Sequence, residues 1–209
     1  EVTSARLTVE NGLMPELRKD LITERWVIIA TERAKRPHDF TQPTTEPEAA
    51  VCPFCPGNES QTPPELWAAR PTGGPNQTGW QVRVIPNKFP ALRIEGEMNR
   101  EADGLYDRMN GIGAHEVIID TPEHNQAVED QPVANIALAL TAIKERMLDL
   151  QRDDRFRYIL AFKNVGREAG ASLRHSHYQM IATPVTPYRV EAKLMGARDY
   201  YARKERSAF

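Results

Sequence analysis

Cysteine is scarce in this chain: 2 residues in 209, spaced as Cys52-x-x-Cys55. That is too few for the disulfide scaffold of a secreted domain, so a reducing cytoplasm is the expected compartment. A second absence is any apolar run long enough to span a bilayer, and the opening Glu1-Val2-Thr3 begins no signal peptide. A long basic run is missing too, and the net charge is -2, so there is no electrostatic footprint for nucleic acid; an anion would have to be held by local arginines. No internal repeat is evident. What is present is an ordinary globular composition, 40% hydrophobic, enough for one good core and one domain.

Chemistry concentrates in residues 162–187, FKNVGREAGASLRHSHYQMIATPVTP. The apolar run Tyr158 to Phe162 enters this stretch and Met180-Ile181-Ala182 leaves it, as for a polar loop between two strands of one sheet. Gly166 and Gly170 allow the backbone to turn there. If His175 to Ala182 is extended, residues two apart share a face, which puts His175, His177 and Gln179 in a row. A neutral imidazole is both a nucleophile and a metal ligand, so two histidines two apart can divide those tasks. An isolated His-x-His is more often a pair of plain histidines. Here Asn164, Ser172 and Gln179 add neutral donors suited to a phosphate beside a nucleophile.

The pattern Asn164-x-Gly166-x-x-x-Gly170-x-Ser172-x-x-His175-x-His177-x-Gln179 resembles the active-site motif of the galactose-1-phosphate uridylyltransferase family, the transferase branch of the histidine-triad superfamily. Hydrolases of that superfamily have a third histidine at the place of Gln179, so the glutamine points to nucleotidyl transfer. The resemblance implies that His177 is the nucleophile carrying the nucleoside monophosphate and that Gln179 holds the phosphoryl oxygens. It also implies that His175 binds zinc, its carbonyl orienting the His177 ring. The substrates implied are a nucleotide sugar, UDP-glucose or UDP-galactose, and a hexose 1-phosphate. An ADP-sugar phosphorylase and a non-catalytic zinc-binding module are the rival readings. Family members also have a second, related half, often with a homodimer partner, and that half is absent from this chain.

Other segments resemble the family in the same order along residues 16–187. Arg33-Ala34-Lys35-Arg36-Pro37 is similar to a segment that approaches the nucleotide phosphates, making Arg33 and Arg36 candidate binders through the planar guanidinium fork. Pro86-Asn87-Lys88-Phe89-Pro90 resembles the turn beside the nucleoside, with Asn87 the candidate ribose or base contact; a plain Pro-Asn turn is the simpler alternative. Cys52-Pro53-Phe54-Cys55-Pro56-Gly57 is a knuckle able to give two thiolates to a tetrahedral zinc, a redox pair being its main rival. With Cys52, Cys55 and His175 as ligands, the fourth is His124 or His115. His124 is preferred because Thr121-Pro122-Glu123-His124 can turn a ligand inward after a strand, and because zinc-binding family members have a similar segment there. Four protein ligands leave no open position, so such a zinc is structural.

The remaining pattern predicts an α+β fold, an antiparallel sheet with helices packed on it, and the resemblance implies that this sheet is histidine-triad-like. Residues 21–30 read as a hairpin and a buried strand after a mixed lead-in over 1–15, and 41–50 as a linker. Strands are expected over Trp80–Ile85 and His115–Asp120. Residues 60–79 and 94–114 read as loops. Gln131–Arg152 is the clearest helix, with Ile136, Leu138, Leu140, Ile143, Met147, Leu148 and Leu150 as its apolar stripe, and Pro187–Arg206 is a second.

Overall fold

A computed structural model of the chain describes residues 14–30, 33, 52–166, 168–171 and 173–209. In chain order it forms β1 Glu16–Lys19, β2 Trp26–Ile29, β3 Trp67–Ala69, β4 Val82–Pro86, β5 Glu101–Asp103, β6 Tyr106–Asn110, β7 Ala114–Ile119, α1 Val133–Leu150, β8 Tyr158–Phe162, β9 His177–Thr183 and α2 Tyr188–Lys204. The strands make a four-stranded sheet of order β2-β1-β6-β5 and a five-stranded sheet of order β3-β4-β7-β9-β8, antiparallel at every ladder. The fold is α+β, as the sequence predicts.

The five-stranded sheet has two distinct faces because side chains alternate along each strand. On one face Val82, Val84, Ile118, Met180 and Ala182 pack with Ala139 and Ala142 of α1 into the largest core cluster. The other face carries Ile85, Val117 and Ile119, joined by Trp80 and by Phe54 from the cysteine knuckle. Register sets β9 on this second face: Gln179 lies opposite Val117 and His177 opposite Ile119, so both point away from α1. All six residues of β7 are buried, which matches a central strand covered on both sides. Gly113 leads into it, and a Cβ there would overlap the Ala182 carbonyl oxygen and Leu92. Burying the charged Glu116 in this strand is compensated by Arg146 of α1, whose Nε and Nη2 donate to the two carboxylate oxygens at 2.9 and 2.7 Å.

Several expectations need correction. Residues 60–79 contain β3, a short edge strand held on β4. Residues 94–114 contain the β5–β6 hairpin and the start of β7, which Gly104 (φ +64°) turns without a hydrophobic signal, since β5 is exposed throughout. The strand in 21–30 is half-buried, not buried: Trp26 and Ile28 face the core while Val27 and Ile29 face outward. Its turn is held by Asp20, whose carboxylate accepts the Ile22 and Thr23 backbone N–H groups and the Thr23 hydroxyl, bonds that lower its pKa. In α1, Leu140 and Leu148 are exposed, and the buried residues are Ala139, Ala142 and Leu150. No residue of α2 is buried. Among the described residues, no helix is long and apolar enough to cross a membrane.

Candidate active site and metal centre

Local chain geometry brings four potential ligands together from three segments. Cys52 and Cys55 sit in a tight turn closed by the Cys55 N–H on the Cys52 carbonyl; His124 follows β7, and His175 precedes β9. The Sγ atoms and ring nitrogens of Cys52, Cys55, His124 and His175 all lie within 4.8 Å of one another. His175 Nδ1 is 3.7 Å from Cys52 Sγ and 3.6 Å from Cys55 Sγ, and His124 Nδ1 is 3.3 Å from Cys55 Sγ. A tetrahedron with metal–sulfur bonds of about 2.3 Å and metal–nitrogen bonds of about 2.0 Å has sulfur–nitrogen edges of about 3.5 Å, so the spacing fits a metal ion at its centre.

The surrounding bonds favour the ligand form of His175. His175 Nε2–H donates to the Thr121 carbonyl at 2.8 Å, so the lone pair of the neutral ring is on Nδ1, the nitrogen facing the thiols. Burial depresses the His175 pKa, keeping the ring neutral. Burial and the neighbouring Cys52 push the Cys55 thiol up to about 11. A cation between the sulfurs would relieve that crowding of negative charge. The cluster contains His124 and not His115, which stands elsewhere on the same sheet face.

His177 begins β9 and is buried. Its Nδ1–H donates to the His175 carbonyl at 2.7 Å, which in the neutral ring leaves the lone pair on Nε2. Phe54 meets this ring in a T-shaped contact, 5.4 Å between centroids. The knuckle therefore touches both the cluster and the neighbouring imidazole. Gln179, two residues on, is 5% exposed, and its Oε1 lies 3.0 Å from His115 Nε2. The Pro86–Pro90 turn docks on the same histidine: Asn87 N–H donates to the His115 carbonyl at 2.8 Å, and Asn87 Nδ2 is 3.1 Å from His115 Nε2. Asn87 and Gln179 thus meet through His115. Asn164 is half-buried in the loop after β8, where Gly166 and Gly170 both adopt positive φ. Arg33 closes a turn after β2, its N–H on the Ala30 carbonyl. Arg36 and Ser172 lie outside the described residues.

Two features escaped the sequence reading. Asp120, fully buried at the end of β7, accepts from Gln131 Nε2 at 3.0 Å, Lys163 Nζ at 2.6 Å and Ser176 Oγ at 3.1 Å, tying down the residue between the two histidines. Lys163 also lies over the Tyr178 ring, 4.4 Å from its centroid. The only available signal was position, Asp120 directly before the Thr-Pro-x-His segment and Lys163 directly before Asn164. His115 is the second feature, legible as a histidine opening a strand but not as a partner of Gln179.

The model of the galactose-1-phosphate uridyl transferase N-terminal domain matches residues 8–187. The chain belongs to this family. It is 41% identical to the ADP-glucose phosphorylase of Arabidopsis thaliana over 93% of this chain and 55% of that protein. It is 30% identical to the galactose-1-phosphate uridylyltransferase of Thermotoga maritima over 92% of this chain and 54% of that protein. The crystal structure of the Arabidopsis thaliana phosphorylase with bound ADP-glucose superposes with a TM-score of 0.65 at 40% identity, covering 93% of this chain and 56% of that one. The chain spans about half the length of the curated relatives it matches.

Proposed function

We propose that this family member transfers a nucleoside monophosphate between a nucleotide sugar and a phosphate acceptor through a covalent nucleotidyl-histidine on His177. The observation that carries the reading is the His177 ring, held by its Nδ1–H on the His175 carbonyl so that Nε2 is the nucleophilic nitrogen. Nε2 attacks the α-phosphorus of the nucleotide sugar, a nitrogen–phosphorus bond forms, and the bond to the sugar phosphate breaks. Sugar 1-phosphate leaves with the electron pair. An oxygen of the acceptor phosphate then attacks the same phosphorus and the nitrogen–phosphorus bond breaks, restoring His177. Splitting one transfer into two displacements lowers each barrier. Gln179 donates to the phosphoryl oxygens, and Arg33, Arg36, Asn87, Asn164 and Ser172 bind the nucleotide. Zinc suits the two-thiolate, two-imidazole donor set; held by Cys52, Cys55, His124 and His175, it braces the loop that presents His177.

The resemblance favours a uridylyl group passed from UDP-glucose to galactose 1-phosphate. A second reading, an adenylyl group taken from an ADP-sugar, is supported by the 41% identity to a phosphorylase against 30% to a uridylyltransferase. Intact-mass spectrometry after incubation with UDP-glucose and, separately, ADP-glucose tests both. A uridylyl or an adenylyl adduct on the wild-type chain, lost in His177→Ala, is the expected result, and its identity decides the base. An adduct that persists in His177→Ala, or none with either donor, overturns the proposal.

A further inference from the structure

We infer that His115 is a positioning residue that sets which end of the Gln179 amide faces the reacting phosphate; the inference rests on the function proposed above. An amide has one accepting and one donating end and a neutral imidazole one nitrogen of each kind, so their orientation follows from partners that cannot change role. Two backbone N–H groups supply that reference. Ala91 N–H points at His115 Nδ1 over 3.0 Å, so Nδ1 must carry the lone pair and, in the neutral ring, Nε2 carries the hydrogen. Phe89 N–H points at Asn87 Oδ1 over 2.9 Å, so the other end of that amide is its amine.

The consequence passes to Gln179. His115 Nε2–H needs an acceptor, and Gln179 Oε1 stands 3.0 Å away. The carbonyl end of Gln179 is therefore engaged by His115, and the Nε2 amine is the end left to donate to an oxygen. Asn87 Nδ2, 3.1 Å from the same imidazole nitrogen, meets a hydrogen there instead of a lone pair, so its amine too is directed to a different acceptor. The contacts with Ala91 and Gln179 are buried, where a reversed amide would oppose two donors or two acceptors without water to compensate. The β7–β9 register makes the contact possible: His115 lies opposite Ile181 and is the diagonal neighbour of Gln179 on one face. The Phe89 and Ala91 donors are two residues apart, so one backbone segment fixes the orientation of both amides. A neutral imidazole does this without adding a charge beside the nucleophile.

The test combines a tautomer measurement with a mutant cycle on the 209-residue chain. Nitrogen-15 NMR of the ligand-free protein should find His115 protonated on Nε2, with its ring resonances shifting in Gln179→Ala; protonation on Nδ1 would overturn the inference. Asn at 115 can retain the acceptor for Ala91 but not the donor for Gln179, whereas Gln can retain the donor. His115→Asn should slow formation of the His177 adduct by about tenfold or more, as expected for a lost or misdirected oxyanion donor. His115→Gln should recover much of that rate. The double variant His115→Asn/Gln179→Ala should be no slower than the worse single variant, because the histidine acts only through the glutamine. Losses that multiply, or equal rates for His115→Asn and wild type, would overturn the inference. A wild-type chain that forms no adduct would instead defeat the proposed function, and the tautomer would then decide the hydrogen-bond arrangement alone.

Discussion

The two sheets are built from similar short antiparallel strands, yet one is dry on both faces at its centre and the other is wet on one. β7 has six buried residues in a row, whereas β5 has none and β2 alternates. The five-stranded sheet is covered by α1 on one side and by the knuckle and the Pro86–Pro90 turn on the other. The four-stranded sheet packs Leu17, Met109, Trp26 and Ile28 inward against Leu92, Ile181 and Val185, and leaves Val27 52% exposed. Polar chemistry follows the coverage. Histidine and glutamine on β9 are held by bonds that carry most weight where water is excluded, and only the larger sheet excludes it on the site face.

That contrast can be broken most severely at the metal centre. Stripping the proposed zinc with a chelator, or replacing Cys55 with Ser, should lower stability by about 4 kcal/mol, the linkage expected for a ligand held a thousandfold above its dissociation constant. Thermal melting with and without chelator, beside elemental analysis for about one zinc per chain, measures it. An unchanged melting temperature would remove the metal from the account of the site face. A matched pair of core truncations sharpens the same contrast. Ile118→Ala, fully buried in β7, should destabilise by about 2–5 kcal/mol in urea unfolding, and Val27→Ala on the outer face of β2 by less than about 0.5 kcal/mol. Equal losses would mean that the two sheets do not differ in the way burial implies.

The smallest expected effect is electrostatic and lies at the edge of the larger sheet. Glu65, just before β3, accepts from Arg70 at 2.6 and 2.8 Å and from Arg83 at 3.1 Å. Arg70 foremost holds its carboxyl at about 2, against an ordinary value of 4.5. A carboxylate with a depressed folded pKa contributes stability above its unfolded pKa, and the contribution fades as pH falls from about 4.5 to about 2. Glu65→Gln should therefore flatten the acid limb of stability in that window while the wild type retains its slope. Urea midpoints measured between pH 5 and pH 2 on both proteins, about the range where such a pair titrates, provide the check. Parallel slopes would show that Arg70 and Arg83 do not hold Glu65 in solution as they do in the structure.

Local pattern along the chain determined the elements whose burial leaves a periodic trace. Strands β4, β7, β8 and β9 and helix α1 each show an apolar run or stripe that requires no knowledge of a partner, and the spacing of Cys52, Cys55, His175, His177 and Gln179 carried the family resemblance. Strands β3 and β5 left no such trace, because each is a three-residue edge strand with no fully buried residue of its own. Leu140 and Leu148 belong to the apolar stripe of α1 by spacing, but they are exposed, and Ala139 and Ala142 are buried with Leu150 in the core cluster instead. At the site, sequence left His115 and His124 as alternatives for one metal cluster. Tertiary structure separated them: the chain after β7 turns His124 toward the thiols, while the pairing of β7 with β9 sets His115 diagonally beside Gln179. Such choices depend on register between strands 64 residues apart, a property that no local pattern can encode.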